Sequence, residues 1–157
     1  MGLLTDQIVR KLEQVTEQYY RLVLVVAPAG GGKTSALQDV SERTGAPLIN
    51  VNLELSRRML NLTKRQRALQ LPKLLSDIVM EAGSDVVLLD NIEILFDVSL
   101  KQDPLRLLQK LSRNKTVVAA WNGSIVDGYL TYAVPGHPEY RRYRIRDFLV
   151  VNLEVTA

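Results

Sequence analysis

The 157 residues include no cysteine, which excludes a disulfide framework, a thiolate metal site and a cysteine nucleophile, and suits a reducing compartment such as the cytoplasm. Histidine is nearly as scarce. The single one, His137, sits in Pro135-Gly136-His137-Pro138 and reads as a turn rather than as a catalytic base. Long apolar runs are missing as well: Leu22 to Ala27 falls far short of the roughly 20 residues that span a bilayer, and no signal-peptide pattern precedes it. N-myristoylation would need Ser or Thr where Asp6 stands. No membrane role is expected. Internal repeats and linker-like stretches are absent too, so residues 1–157 read as one domain.

What is present is an ordinary globular balance, 46% hydrophobic and 24% charged, with a formal net charge of +3. That balance argues against wholesale disorder. Leu4, Ile8, Leu12 and Val15 recur at helical spacing, predicting an amphipathic helix over residues 6–19. Leu22-Val23-Leu24-Val25-Val26 is apolar on both faces and breaks at Pro28 and three glycines, as a buried parallel strand would. A helix over 33–43 follows, then a strand over 48–53. The segment 56–82 has helical character, with Pro72 expected to kink it or to begin a second helix. Residues 86–90 read as a third strand, 103–113 as a helix, 116–121 as a fourth strand and 148–155 as a fifth. The expectation is an α/β fold: three layers around a mainly parallel five-stranded sheet.

Ala27-Pro28-Ala29-Gly30-Gly31-Gly32-Lys33-Thr34 matches G-x-x-x-x-G-K-[ST], with Ala27 in place of the first glycine. Backbone amides of Pro28 to Ser35 (proline excepted) and the following helix N-terminus would cradle phosphates. Lys33 would meet the β and γ phosphates, and the Thr34 hydroxyl a Mg²⁺ ion. The pattern needs an acid at the end of a buried strand, and Asp90 follows Val86 to Leu89. Thr34 and Asp90 are therefore the candidate magnesium residues, and ATP with Mg²⁺ the expected cofactors.

Several classes of P-loop protein compete. Asn114-Lys115-Thr116 continues into Val117, so the guanine-reading N-K-x-D is not completed. A small-molecule kinase would draw a lid from Arg141, Arg142, Arg144 and Arg146, but Arg142, Arg144 and Arg146 alternate with Tyr143 and Ile145 like the exposed side of a strand. The strand ending at Trp121-Asn122 resembles the sensor strand of the additional-strand ATPases, the class that holds AAA+ and RecA-like proteins. On that likeness Asn122 would orient the attacking water, the alternative being an Asn-Gly turn with Gly123. Arg113 would be a finger reaching a neighbour's nucleotide, or else a helix C-terminal cation. Asn91 stands where that class carries its general base, which leaves Glu93 and Glu54 as replacement candidates. The chain leaves no room for a helical lid, so the core is expected to be AAA+-like without one.

The segments VVAPAGGGKT, NVNLELSRRML, VVLLDNIEILF, QDPLRLLQKLSRNKTVVAAW and LTYAVPGHPEYRRY together resemble the BrxF family, small P-loop proteins of type 3 BREX bacteriophage-exclusion systems. The likeness covers most of residues 20–145. It implies a bacterial cytoplasmic defence component working beside a large BrxC-type ATPase, a PglZ-type protein and an adenine-specific DNA methyltransferase, assembled with itself or with those subunits. The competing expectation is a non-hydrolysing subunit switched by ATP binding.

One further feature bears on partners. Between Leu55 and Leu75 stand Arg57, Arg58, Lys64, Arg65, Arg67 and Lys73 with no acidic residue, a local charge of +6. Such a stretch would suit duplex DNA phosphates, or a solvated helix face or a docking surface. Tyr129, Tyr132, Tyr140 and Tyr143 lie near arginines and could stack on bases or simply pack.

Overall fold

The structure is a computed structural model that describes residues 2–30 and 32–153. The chain runs α1 (Gly2–Val15), β1 (Leu22–Ala27), α2 (Lys33–Thr44), β2 (Leu48–Asn50), α3 (Val51–Arg58), α4 (Lys64–Glu81) and β3 (Val86–Asp90). Two short 3-10 turns over Glu93–Phe96 and Val98–Leu100 lead to α5 (Pro104–Leu111), β4 (Thr116–Val126), β5 (Tyr129–Tyr132), β6 (Arg141–Arg144) and β7 (Leu149–Asn152).

Five strands form a parallel sheet in the order β2-β3-β4-β1-β7. All six residues of β1 are buried because helices cover both faces. Leu22, Leu24 and Val26 pack with Val117, Ala119 and Trp121 against α3, α4 and α5. Val23, Val25 and Ala27 pack with Val118 and Ala120 against Ile8 and Val15 of α1 and Leu37 and Val40 of α2. The result is a mixed α/β, three-layer arrangement. Truncating a side chain such as Leu24 to alanine would cost about 2–5 kcal/mol.

The sheet is larger than the sequence suggested. β4 continues to Val126 rather than ending at Trp121, and its outer part pairs antiparallel with β5, which pairs with β6. Asp127 and Gly128 join β4 to β5 at φ 51° and 81°, the two left-handed positions that a tight hairpin turn needs. The strand expected over 48–53 stops at Asn50, whose side chain accepts from the Leu53 amide and caps α3. Thr63 and Gln66 form a reciprocal capping box that starts α4 at Lys64, so the helical stretch from Ser56 is broken over Met59–Thr63. The last strand is shorter than expected, Leu149–Asn152, and the part of that expectation beyond residue 153 lies outside the described residues.

Pro72 neither begins a helix nor ends one; it lies within α4. Proline cannot donate to the carbonyl four residues back, that of Ala68. Gln102 compensates from across the fold, donating from Nε2 to Ala68 O at 2.8 Å and to Leu100 O at 2.7 Å.

Candidate nucleotide site

The loop after β1 turns into α2 through Gly30 (φ 79°) and Gly32 (φ 88°), left-handed conformations that side chains other than hydrogen tolerate poorly. This leaves the start of α2 open toward a cleft of about 510 Å³. Ala29, Gly30, Gly32, Lys33, Thr34 and Ser35 line one wall, and Asp90, Asn91, Glu93 and Asn122 the other. Of the residues expected to cradle phosphates, Ala29 and Gly30 and then Gly32 to Ser35 border this cleft, and Gly31 lies outside the described residues. Pro28 contributes its carbonyl to Lys33 and borders a neighbouring recess.

Lys33 is only 6% exposed. Its ammonium folds back to donate to Ala27 O at 3.1 Å and Pro28 O at 2.7 Å. Burial pushes its pKa below the ordinary lysine value, with the charges of Glu93 and Asp90 opposing that fall. An ammonium held this way gains by meeting a polyanion.

Thr34 Oγ1 donates to Asp90 Oδ2 at 2.7 Å, so the two expected magnesium residues stand close enough to serve one coordination sphere. The second Asp90 oxygen accepts from the Asn91 amide at 2.9 Å. Among the described residues no group of three or more histidine, cysteine or carboxylate side chains gathers as a metal cage. A Mg²⁺ ion at Thr34 and Asp90 would thus complete its oxygen shell with phosphate and water, its usual habit.

Glu93 is the second acid of the cleft. Asn122 donates from Nδ2 to its Oε2 at 2.8 Å, and Asn52 from Nδ2 to its Oε1 at 3.3 Å. Asn52 is fixed in turn: its Oδ1 accepts from the Ile94 amide at 2.8 Å and its backbone amide donates to Asn91 O at 2.9 Å. Asn91 itself adopts φ 52°, a left-handed bend that turns the chain out of β3 and brings Glu93 back over the cleft. Asn122 is not in a turn. It lies within β4, paired with Ala27 at the mouth of the phosphate loop.

Two candidates fall elsewhere. Glu54 sits in the first turn of α3, where it pairs with Arg57 at 3.5 Å and Arg58 at 3.8 Å, and it does not line the cleft. Arg113 precedes β4, at the sheet end opposite the phosphate loop. Its guanidinium lies 3.6 Å from the Tyr19 ring centroid and donates to Tyr19 O at 3.1 Å. Reading the sequence missed Asn52 and Gln38, both at the site. Asn52 carries no motif, and only the pairing of β2 with β3 brings it to Glu93; Gln38 follows from its place one turn after Thr34.

The basic stretch is less free than its composition suggests. Arg58 forms a two-bond pair with Glu81 at 2.7 and 3.2 Å, Lys73 pairs with Asp77 at 2.9 Å, and Arg57 with Glu54. Arg67 donates to the Leu62 and Leu60 carbonyls. Lys64 and Arg65 remain exposed. None of the arginines considered as a kinase lid lines the cleft: Arg141 donates to Gln102 O, while Arg142 and Arg144 gather at Tyr129. His137 is part of a turn, its Nδ1 accepting from the Glu139 amide at 3.0 Å.

No family model matches the chain, and no curated protein matches it. Among solved structures it is similar to one titled "Structure of C. elegans PCH-2", at 16% identity and a TM-score of 0.42. The likeness covers 97% of this chain and 40% of that one. No helix among the described residues is long and apolar enough to cross a membrane.

Proposed function

We propose that the chain is a MgATP-dependent P-loop ATPase of the additional-strand class, with an AAA+-like core. The observation that carries this reading is the convergence of the Thr34–Asp90 bond and the Asn122–Glu93 bond in one cleft at the mouth of the glycine loop. β4, which holds Asn122, runs between β1 and β3 and so places a polar side chain between phosphate loop and Walker acid.

Lys33 would leave its two carbonyls to meet the β and γ phosphates, and Thr34 and Asp90 would hold a magnesium ion, which when bound would supply positive charge against that developing on the transferred phosphoryl group. Glu93 replaces the base that Asn91 cannot be: it accepts the proton of a water oriented by Asn122. Release of Glu93 from Asn52 and Asn122 is needed for that role, so turnover in the isolated chain is slow.

The segments that resemble BrxF support placing this ATPase in a bacterial antiphage assembly with BrxC-type, PglZ-type and methyltransferase subunits; co-purification with those subunits tests that membership. A specific feature favours a second reading, an ATP-switched scaffold: Asn91 occupies the residue after the Walker acid, and both oxygens of Glu93 are already engaged. Phosphate release measured against protein concentration separates the two. The ATPase reading expects release that Glu93→Gln lowers by about 10²–10⁴, whereas tight ATP binding with no release at any concentration favours the switch.

A further inference from the structure

Beyond Asn122, β4 leaves the parallel sheet and becomes one strand of a small antiparallel sheet, whose alternation sorts side chains onto two faces. Gly123, Tyr132 and Arg141 lie in one row and Ile125, Leu130 and Tyr143 in the next, facing the core aromatics Trp121 and Phe96. On the opposite face Ser124 pairs with Thr131 and Thr131 with Arg142; Val126 pairs with Tyr129 and Tyr129 with Arg144. That face meets solvent: Arg142 and Arg144 are exposed, and Val126 is 53% exposed.

Its centre is a layered group. The Arg142 guanidinium lies over the Tyr129 ring, 3.6 Å from the centroid, and Arg144 donates to the Tyr129 hydroxyl at 3.2 Å. Among the described residues neither guanidinium pairs with a carboxylate, in contrast to Arg57, Arg58 and Lys73 on α3 and α4. The face thus offers two uncompensated positive charges and, on the outer side of Arg142, a planar surface already at stacking distance from a ring. Planar cations and aromatics at an open surface suit unpaired bases, which stack on tyrosine rings and guanidinium planes while their phosphates meet the charges. Paired bases in a duplex hide the surfaces that such a layer would use.

We propose that the outward face of the β4–β5–β6 sheet, centred on Tyr129, Arg142 and Arg144, binds single-stranded nucleic acid. This goes beyond the ATPase reading and does not depend on it, because binding is measured without nucleotide. Stacking does not read the sugar, so DNA and RNA strands are both ligands. Fluorescence anisotropy with labelled oligothymidylate and oligouridylate tests it on the full chain. Arg142→Glu with Arg144→Glu weakens both and flattens the log–log salt slope by about 0.7 for each lost phosphate contact. Tyr129→Leu lowers affinity by about 5- to 150-fold, whereas Tyr129→Phe, which keeps the ring and the fold, binds nearly as wild type does. Reversing Lys64 and Arg65 to glutamate leaves affinity unchanged. The proposal is overturned if neither strand binds at about 50 mM salt, if the Arg142 and Arg144 reversals bind like wild type, or if only the Lys64 and Arg65 reversals abolish binding. Loss of a protein partner on reversing Arg142 and Arg144, with no oligonucleotide bound, would equally overturn it and make the face a protein-docking surface.

Discussion

Asn122 donates to Glu93 across 2.8 Å, tying the strand that passes the phosphate loop to an acid three residues beyond Asp90. On the proposed ATPase reading, in which Asn91 replaces the base, this bond marks Glu93 as the carboxylate poised above the cleft. Glu93→Gln should retain ATP binding and lower turnover by about 10²–10⁴, the range for losing a general base. Asn122→Ala should reduce turnover less, and Glu54→Gln should leave it unchanged, since Glu54 faces Arg57 and Arg58 instead. A phosphate-release assay on the three variants decides the assignment.

Gln102 and Pro72 should be energetically coupled. Gln102→Ala leaves the partly buried Ala68 carbonyl without its donor, at about 1 kcal/mol. In a Pro72→Ala background the restored backbone N–H serves that carbonyl, so Gln102→Ala should cost less. A denaturant double-mutant cycle should show coupling of about 1 kcal/mol; strict additivity would mean that the two residues act independently.

Gly123 is required for space. A Cβ built there would stand 1.8 Å from the Thr131 carbonyl oxygen and 2.9 Å from Trp121 Nε1, which itself donates to that oxygen at 3.0 Å. The obstacle is backbone of the paired strand, so it cannot swing aside. Gly123→Ala should lower stability by about 3 kcal/mol or more, the upper range for overpacking, and calorimetric melting measures it.

The phosphate loop and Asp90 were legible in the sequence because they depend on local order: buried strand, glycine turn, helix; buried strand, acid. Other features depend on partners distant in the chain. Ile49, Val51 and Leu53 alternate like a strand, yet the Asn50 cap turns the backbone into α3 after a strand of three residues. Pro72 resembles a breaker until Gln102 supplies the missing bond. The hairpin was announced by Asp127-Gly128 between Val126 and Tyr129, a local signal that the run of glycine, proline and arginine after it obscured. Asn52 could not be singled out at all, since its role arises only when β2 lies beside β3. Arg113, read from the sequence as a finger for a neighbour's nucleotide or as a helix C-terminal cation, engages Tyr19 within the chain.

Protonation of Lys33 should follow ATP binding. Burial lowers its pKa in the free protein, Glu93 and Asp90 offset part of that fall, and incoming phosphates would raise it again. Between the lowered free value and the higher bound value, complex formation takes up a proton. In the same window below 10.5 the unfolded chain holds more protons than the native one, so the free protein gains stability as pH rises. Titration calorimetry in buffers of different ionisation enthalpy should show uptake growing from neutral pH toward that window, and Lys33→Ala should abolish it.

The most direct test of the nucleotide site is calorimetric titration of ATP with Mg²⁺ into wild type and Lys33→Ala, with thermal melting to establish that both are folded. The site as assembled by Lys33, Thr34 and Asp90 predicts saturable binding by wild type that depends on Mg²⁺, and loss of tight binding in the folded Lys33→Ala variant. Equal ATP affinity in the two proteins would contradict the assignment.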